Sequence, residues 1–251
     1  MKKIFIATLA AATLSFSANA QDLSFIIQGG YQGAKLTGFD AQELASGFRI
    51  GAALDWSFLD LGLAELSLQP GVNFSQKGTN LIGTVRNGQS LIDFVNSPSL
   101  DNAINAALAM NYVDIPVLLN LRIAVPVIGR AFAQLGPYVA FGIGSSTKIT
   151  TGNKTVDGAL GSVNKILTQN QGFDAFKSKL MDKIDYGLQF GAGIEFSRIL
   201  ISAGYQLGLK NVIHTEASLS ENADIIGAAM KSALKDGTKN SSFYVTVGYR
   251  F

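Results

Sequence analysis

Ser242-Phe243-Tyr244-Val245-Thr246-Val247-Gly248-Tyr249-Arg250-Phe251 alternates without a break. Phe243, Val245, Val247, Tyr249 and Phe251 share one apolar face, and Tyr244, Thr246, Gly248 and Arg250 share the other, which is small or polar apart from Tyr244. A period of two over this length describes a strand with one greasy and one wet side. A soluble sheet covers such a greasy face with a second layer, whereas a membrane barrel turns it to lipid and keeps the wet face inside. One strand does not choose between the two, so the rest of the chain must.

The same period recurs upstream. Phe48, Ile50, Ala52, Leu54, Trp56 and Phe58 alternate with Arg49, Gly51, Ala53, Asp55 and Ser57. Leu66, Leu68, Pro70, Val72 and Phe74 alternate with Glu65, Ser67, Gln69, Gly71 and Asn73. The pattern returns over 184–196 and again over 199–210, where Leu200 interrupts the polar side, and weaker copies cover 23–33, 112–123 and 131–144. These make eight strands of about 10–13 residues, long enough to cross a bilayer when tilted. Their wet faces are rich in Gly, as a narrow barrel filled by its own side chains requires.

Connection lengths carry the argument further. The segments 34–46, 59–63, 77–110, 124–130, 145–182, 197–198 and 211–240 alternate long and short throughout. An up-and-down barrel with long extracellular loops and short periplasmic turns has this plan; a soluble sandwich has no reason to adopt it. Trp56, Phe58, Phe196, Tyr249 and Phe251 then fall at periplasmic strand ends, and Tyr31, Phe74, Phe141, Tyr186 and Phe243 at extracellular ends. Two aromatic girdles are the expected result. The fold class is therefore all-β, an eight-stranded antiparallel up-and-down transmembrane barrel with long, partly helical extracellular loops.

At the other end, Lys2 and Lys3 precede an apolar run from Ile4 to Leu14 and small residues ending Ala18-Asn19-Ala20. This is the three-part pattern of a cleaved secretory signal over residues 1–20, with the barrel domain occupying 21–251. The run is too short for a membrane-spanning helix. The chain has 20 Lys+Arg, 18 Asp+Glu and one His, so loss of Lys2 and Lys3 leaves the two signs equal. No basic patch argues for nucleic acid. Zero cysteines exclude disulfides and thiolate chemistry.

A strand ending on Phe resembles the terminal strand of bacterial outer-membrane barrels, and that resemblance implies recognition by the barrel-assembly machinery. The signal pattern, eight strands, four long outer loops and the run Tyr112-Val113-Asp114-Ile115-Pro116-Val117-Leu118-Leu119 resemble the PorT-like outer-membrane barrels of Bacteroidota. Asp114 stands where Glu is commoner in that family. The resemblance implies the fold, a place in the outer membrane of a Gram-negative bacterium in contact with its lipid, and a role in assembling secretion machinery.

The inward faces mix both signs. Arg49, Arg122, Arg130, Arg198, Lys210 and Arg250 share them with Asp55, Glu65, Asp114, Asp185 and Glu195. Ions in a narrow lumen must pair, because an unpaired buried charge costs several kcal/mol. A selectivity filter would show one dominant sign, so the balance points to a salt-bridged plug built on Arg49, Asp55, Glu65, Asp114, Arg122, Asp185, Glu195 and Arg250. His214, in His214-Thr215-Glu216-Ala217-Ser218, is the one residue that could serve a lipid hydrolase. The bland reading is a solvated residue at a loop base. A metal site would have only carboxylates to add to it, and no catalytic, metal or cofactor-binding residues are assigned.

Ser90–Val95 and Ser99–Leu108 read as short capped helices, and Phe173, Phe176 and Leu180 share a helix face. Ile225, Ile226, Ala229, Met230, Ala233 and Leu234 form a longer apolar stripe. Such stripes either cap the barrel mouth or form a docking surface for a protein or an apolar ligand. The leading expectation is a non-enzymatic barrel whose extracellular loops bind a partner or ligand. A lipid-modifying enzyme using His214, and a route for a small apolar molecule through the loop cap and out sideways, remain open.

Overall fold

The computed structural model describes residues 23–37, 42–84, 103–126, 129–150, 176, 181–212 and 237–251. Nine strands follow one another: β1 Leu23–Leu36, β2 Gln42–Glu43, β3 Ala45–Asp60, β4 Ala64–Thr84, β5 Ala103–Val125, β6 Gly129–Thr150, β7 Ile184–Phe196, β8 Ile199–Gly208 and β9 Asn240–Arg250. All pair antiparallel. β2 is a two-residue rung on the outer end of β4. The other eight close on themselves, β1 lying between β3 and β9, and β4 pairing with β5. Among the described residues there is no helix.

The alternation dictates which way each face turns. Ile50, Trp56, Val72, Leu119, Leu135, Phe190, Val247 and their neighbours stand exposed on the outside. Arg49, Asp55, Asn73, Asp114, Arg122, Gln189 and Thr246 are buried on the inside. An apolar band turned outward is what hydrocarbon requires, and closure leaves no unpaired sheet edge within it. Aromatic clusters mark both ends. Phe25 with Phe251, Tyr249 with Phe251 and Trp56 with Phe58 gather at the periplasmic end; Tyr31 with Phe243 and Phe48 with Phe74 gather at the other. Leu200, which breaks the polar side of its strand, meets Ile26 and Phe132 inside the barrel as a small apolar cluster.

The short turns fall as the sequence predicts, but the strands on one side are much longer than expected. β4, β5 and β6 contain 21, 23 and 22 residues, so 77–84, 103–110 and 145–150 are strand and not outer loop. Ala103–Leu108, expected as helix, is β5 instead, paired with β4 on one side and, from Asn105, with β6 on the other. Ala, Leu and Asn have no strong strand preference of their own, and two-sided pairing overrides their local tendency. Of the other expected helices, Phe176 lies in a turn, while 90–95, 99–102, Phe173 and Leu180 lie outside the described residues.

Candidate functional site

Inward positions from all eight strands meet in the lumen and sort into two groups. The periplasmic group is centred on Arg122, 1% exposed. Its Nη2 lies 2.7 Å from Asp55 Oδ2, its Nη1 3.0 Å from Glu65 Oε1, and its Nε 3.4 Å from Glu195 Oε2. Arg250 reaches the same Asp55 Oδ2 at 2.7 Å and Glu195 Oε1 at 3.5 Å. Arg130, half-exposed at the rim, holds Glu65 Oε2 at 2.7 Å. Ser67 Oγ donates to Asp55 Oδ1 at 2.7 Å and accepts from Arg122 Nη1 at 2.9 Å. Three guanidinium groups thus meet three carboxylates, and the group is neutral.

The second group lies nearer the outside. Asp114 is fully buried, with Lys77 Nζ 3.1 Å from Oδ1 and Arg49 Nη1 3.6 Å from Oδ2. Ser75 Oγ and Gln206 Nε2 donate to Oδ2 at 2.8 and 3.3 Å. Lys77 Nζ also sits 5.0 Å from the Tyr112 ring centre and 4.9 Å from that of Tyr138, close enough for both ring faces to attract the cation. Asp185 accepts from Tyr138 Oη at 3.4 Å and Asn240 Nδ2 at 3.1 Å. Two cations and two carboxylates again balance.

Between the groups lies an uncharged belt. Gln134 and Gln189 both donate to Tyr244 Oη at 3.0 Å, and Arg49 covers the ring of Tyr244 with its guanidinium 4.7 Å from the ring centre. Gln189 accepts from Arg49 and Gln206. Tyr244 crosses the lumen directly over Gly204, where a Cβ would collide with the phenol; only the missing side chain admits the ring. Above, Phe176 meets Tyr112 edge-on, with ring centres 5.5 Å apart.

The structure places Arg49, Asp55, Glu65, Asp114, Arg122, Asp185, Glu195 and Arg250 together in this interior. Two further inward candidates are elsewhere. Arg198 is exposed in the β7–β8 turn, and Lys210 pairs with Asp182 at 2.9 Å beyond the outer end of β8. Lys77 was missed because its segment reads as loop, yet it continues the inward parity of Asn73 and Ser75. His214 and the stripe Ile225, Ile226, Ala229, Met230, Ala233 and Leu234 lie outside the described residues. No group of three or more metal-ligating side chains occurs among the described residues.

Crowding of this kind leaves little room for ions. In planar bilayers the purified barrel is expected to give no large, steady, ion-selective conductance, because its own side chains fill an eight-stranded interior. Sustained channel currents from the wild-type protein would contradict this.

A closed antiparallel barrel with a lipid-facing apolar band, two aromatic girdles and a paired polar lumen defines a β-barrel membrane protein. The chain belongs to the family described as outer membrane protein beta-barrel domain, whose model matches residues 11–214; it is a protein of the Gram-negative outer membrane. No curated protein matches its sequence. Similar solved structures include neisserial surface protein A, at 11% identity and TM-score 0.43, covering 92% of this chain and 100% of that one. Ail, the attachment invasion locus protein of Yersinia pestis, is similar at 12% identity and TM-score 0.35, with 92% and 99% covered. OprG from Pseudomonas aeruginosa is similar at 12% identity and TM-score 0.33, with 91% and 95% covered.

Proposed function

We propose that this protein is a non-enzymatic outer-membrane barrel that acts through its extracellular face, binding a protein partner or an apolar ligand there. The observation that supports this reading is the filled lumen. Both of its charged groups hold equal numbers of cations and carboxylates bonded within the lumen, so the interior serves as a rigid scaffold, and binding belongs to what the scaffold holds up. β4, β5 and β6 raise a three-stranded wall on one side of the mouth, a fixed platform at the extracellular face. Residues 1–20 act as the export signal, and β9 is the strand offered to the barrel-assembly machinery. Resemblance of Tyr112–Leu119 to PorT-like barrels of Bacteroidota supports a place in the assembly of secretion machinery.

The test is affinity capture from detergent-solubilised outer membranes, comparing the full chain with a deletion of 213–236. A partner recovered with the full chain and lost with the deletion, while both retain heat-modifiable gel mobility, is the expected result. Identical recovery from the two removes the stripe from the proposal. In parallel, His214→Ala is expected to leave envelope lipid composition unaltered. Loss of a lipid-modifying activity in that variant would replace this reading with the enzymatic one.

A further inference from the structure

A hollow of about 450 Å³ lies on the lipid-facing surface over β1, where the first strand joins the last. Ile27, Gly29, Ile50, Ile199, Val247 and Phe251 are among the residues that line it. Its origin is one absent side chain. Phe25, Ile27, Gly29 and Tyr31 follow one another on the outward face of β1, and the row is interrupted at Gly29. Across the two ladders Gly29 faces Ile50 on β3 and Val247 on β9, which stand as banks on either side.

Packing within the barrel does not demand this glycine. At Gly30 a Cβ would collide with the backbone of β9, and at Gly204 with the Tyr244 phenol. At Gly29 it would meet only the Arg49 carbonyl oxygen at 3.7 Å and an Ile50 side-chain carbon at 3.9 Å, both ordinary contact distances. Room for a side chain is therefore left open toward the membrane. The floor of the hollow is rigid, because β1 pairs with β3 from Leu23 to Ala34 and with β9 from Ile26 to Leu36 without a register shift. A fixed hollow of this kind is filled from the membrane, since a void forfeits the contacts of every atom that lines it and hydrocarbon holds no water.

From Gly29 the hollow runs along the seam to Ile199 and Phe251 at the periplasmic end. Val247 to Phe251 alone is four residues, about 13 Å at the rise of a strand. An acyl chain has this elongated shape and lies in this direction. Charge stands at the end of the hollow. Arg198, exposed in the β7–β8 turn, immediately precedes Ile199, and its carbonyl accepts the Arg250 backbone N–H at 2.8 Å. That bond fixes the turn against the end of β9, beside the Tyr249 and Phe251 rings of the periplasmic girdle. Arg130 and Arg250 hold carboxylates, whereas Arg198 forms no ion pair among the described residues. A guanidinium at headgroup depth, next to a hydrocarbon-lined hollow, is complementary to a phosphate carried on an acyl chain.

We propose that this hollow and Arg198 together bind one anionic phospholipid of the inner leaflet, with an acyl chain against Gly29 and the phosphate on the guanidinium. The site lies outside the lumen and is independent of partner binding at the extracellular face.

The test uses the full barrel in phosphatidylcholine nanodiscs containing a small fraction of phosphatidylglycerol with a diazirine in its acyl chain. After irradiation, peptide mapping is expected to find label on 27–29 and 247–251 about tenfold above the lipid-facing stretch 188–194, a preference that one charge-assisted hydrogen bond can supply. Gly29→Leu fills the hollow and R198Q removes the cation; each should lower the label to the level of 188–194. Ala192→Leu adds similar bulk to the outward face of β7 and should change nothing at the seam. Heat-modifiable mobility checks the folding of each variant, and V247F fills the hollow from the other bank should G29L fold poorly. Even labelling around the barrel, or wild-type labelling in G29L or R198Q, overturns the proposal. Equal labelling of the seam by a diacylglycerol bearing the same diazirine, which has no phosphate, also overturns it. The chain has no native cysteine, so Gly29→Cys supplies a final check: disulfide-linked dimers in the native membrane would put a second copy of this chain over the hollow in place of lipid, and would equally overturn it.

Discussion

Arg122→Ala is expected to destabilise the barrel by about 3–5 kcal/mol, the usual loss when one member of a buried ion pair is removed. Asp55, Glu65 and Glu195 all lie within ion-pair range of this one guanidinium. Without it, Arg250 and Arg130 must balance three carboxylates between them. The single tryptophan, Trp56, is exposed on the lipid face, so its fluorescence in a urea titration of the lipid-embedded protein reads the change. Arg130→Ala is the internal comparison. Its side chain is 47% exposed, and exposed pairs contribute only about 0–1 kcal/mol. R122A/E195Q is expected to recover part of the loss by removing one of the stranded charges. A value for R122A no larger than that for R130A would show that the lumen charges do not hold the barrel together.

Asp114→Ala is expected to lose a comparable amount, about 3–5 kcal/mol, for the converse reason. Lys77 and Arg49 would keep their charges in a fully buried site with their shared carboxylate gone, leaving the ring faces of Tyr112, Tyr138 and Tyr244 to attract them. The ion pairs of Asp114 and Arg122 share no residue. The two losses should therefore add within about 0.5 kcal/mol in D114A/R122A, measured in the same titration. Strong non-additivity would mean that the belt of glutamines and Tyr244 couples the two groups into one network.

Much of this interior can be read from the chain because lipid imposes a strict rule. A lipid-facing position has to be apolar, so charge at one residue fixes the direction of its neighbours two apart. That is why the inward direction of Arg49, Asp55 and Glu65 is legible in the sequence. The rule fails where the alternation itself stops, toward the outer ends of β4 and β5. There 77–84 and 103–110 lose their greasy side, and Ala-Ile-Asn-Ala-Ala-Leu over Ala103–Leu108 has a local preference opposed to its strand pairing. Lys77 was lost with that segment. The belt was hidden for another reason: Gln134, Gln189 and Tyr244 meet across the lumen from strands far apart in sequence, and parity says only that each points inward.

Closure has a consequence for how the barrel is made. Every ladder but one joins strands that follow each other along the chain, so each can form as a local hairpin, with β2 a side rung. The exception joins β1 to β9, with Ile26 opposite Arg250 and Leu36 opposite Asn240. Bringing such distant segments together carries the largest loop-closure entropy in the fold, although that penalty grows only slowly with separation. Until β9 arrives, β1 presents an unpaired row of donors and acceptors, and β9 does so afterwards until it docks. The earliest strand across the inner membrane must therefore wait for the latest, and its exposed edge has to be shielded during the whole periplasmic passage.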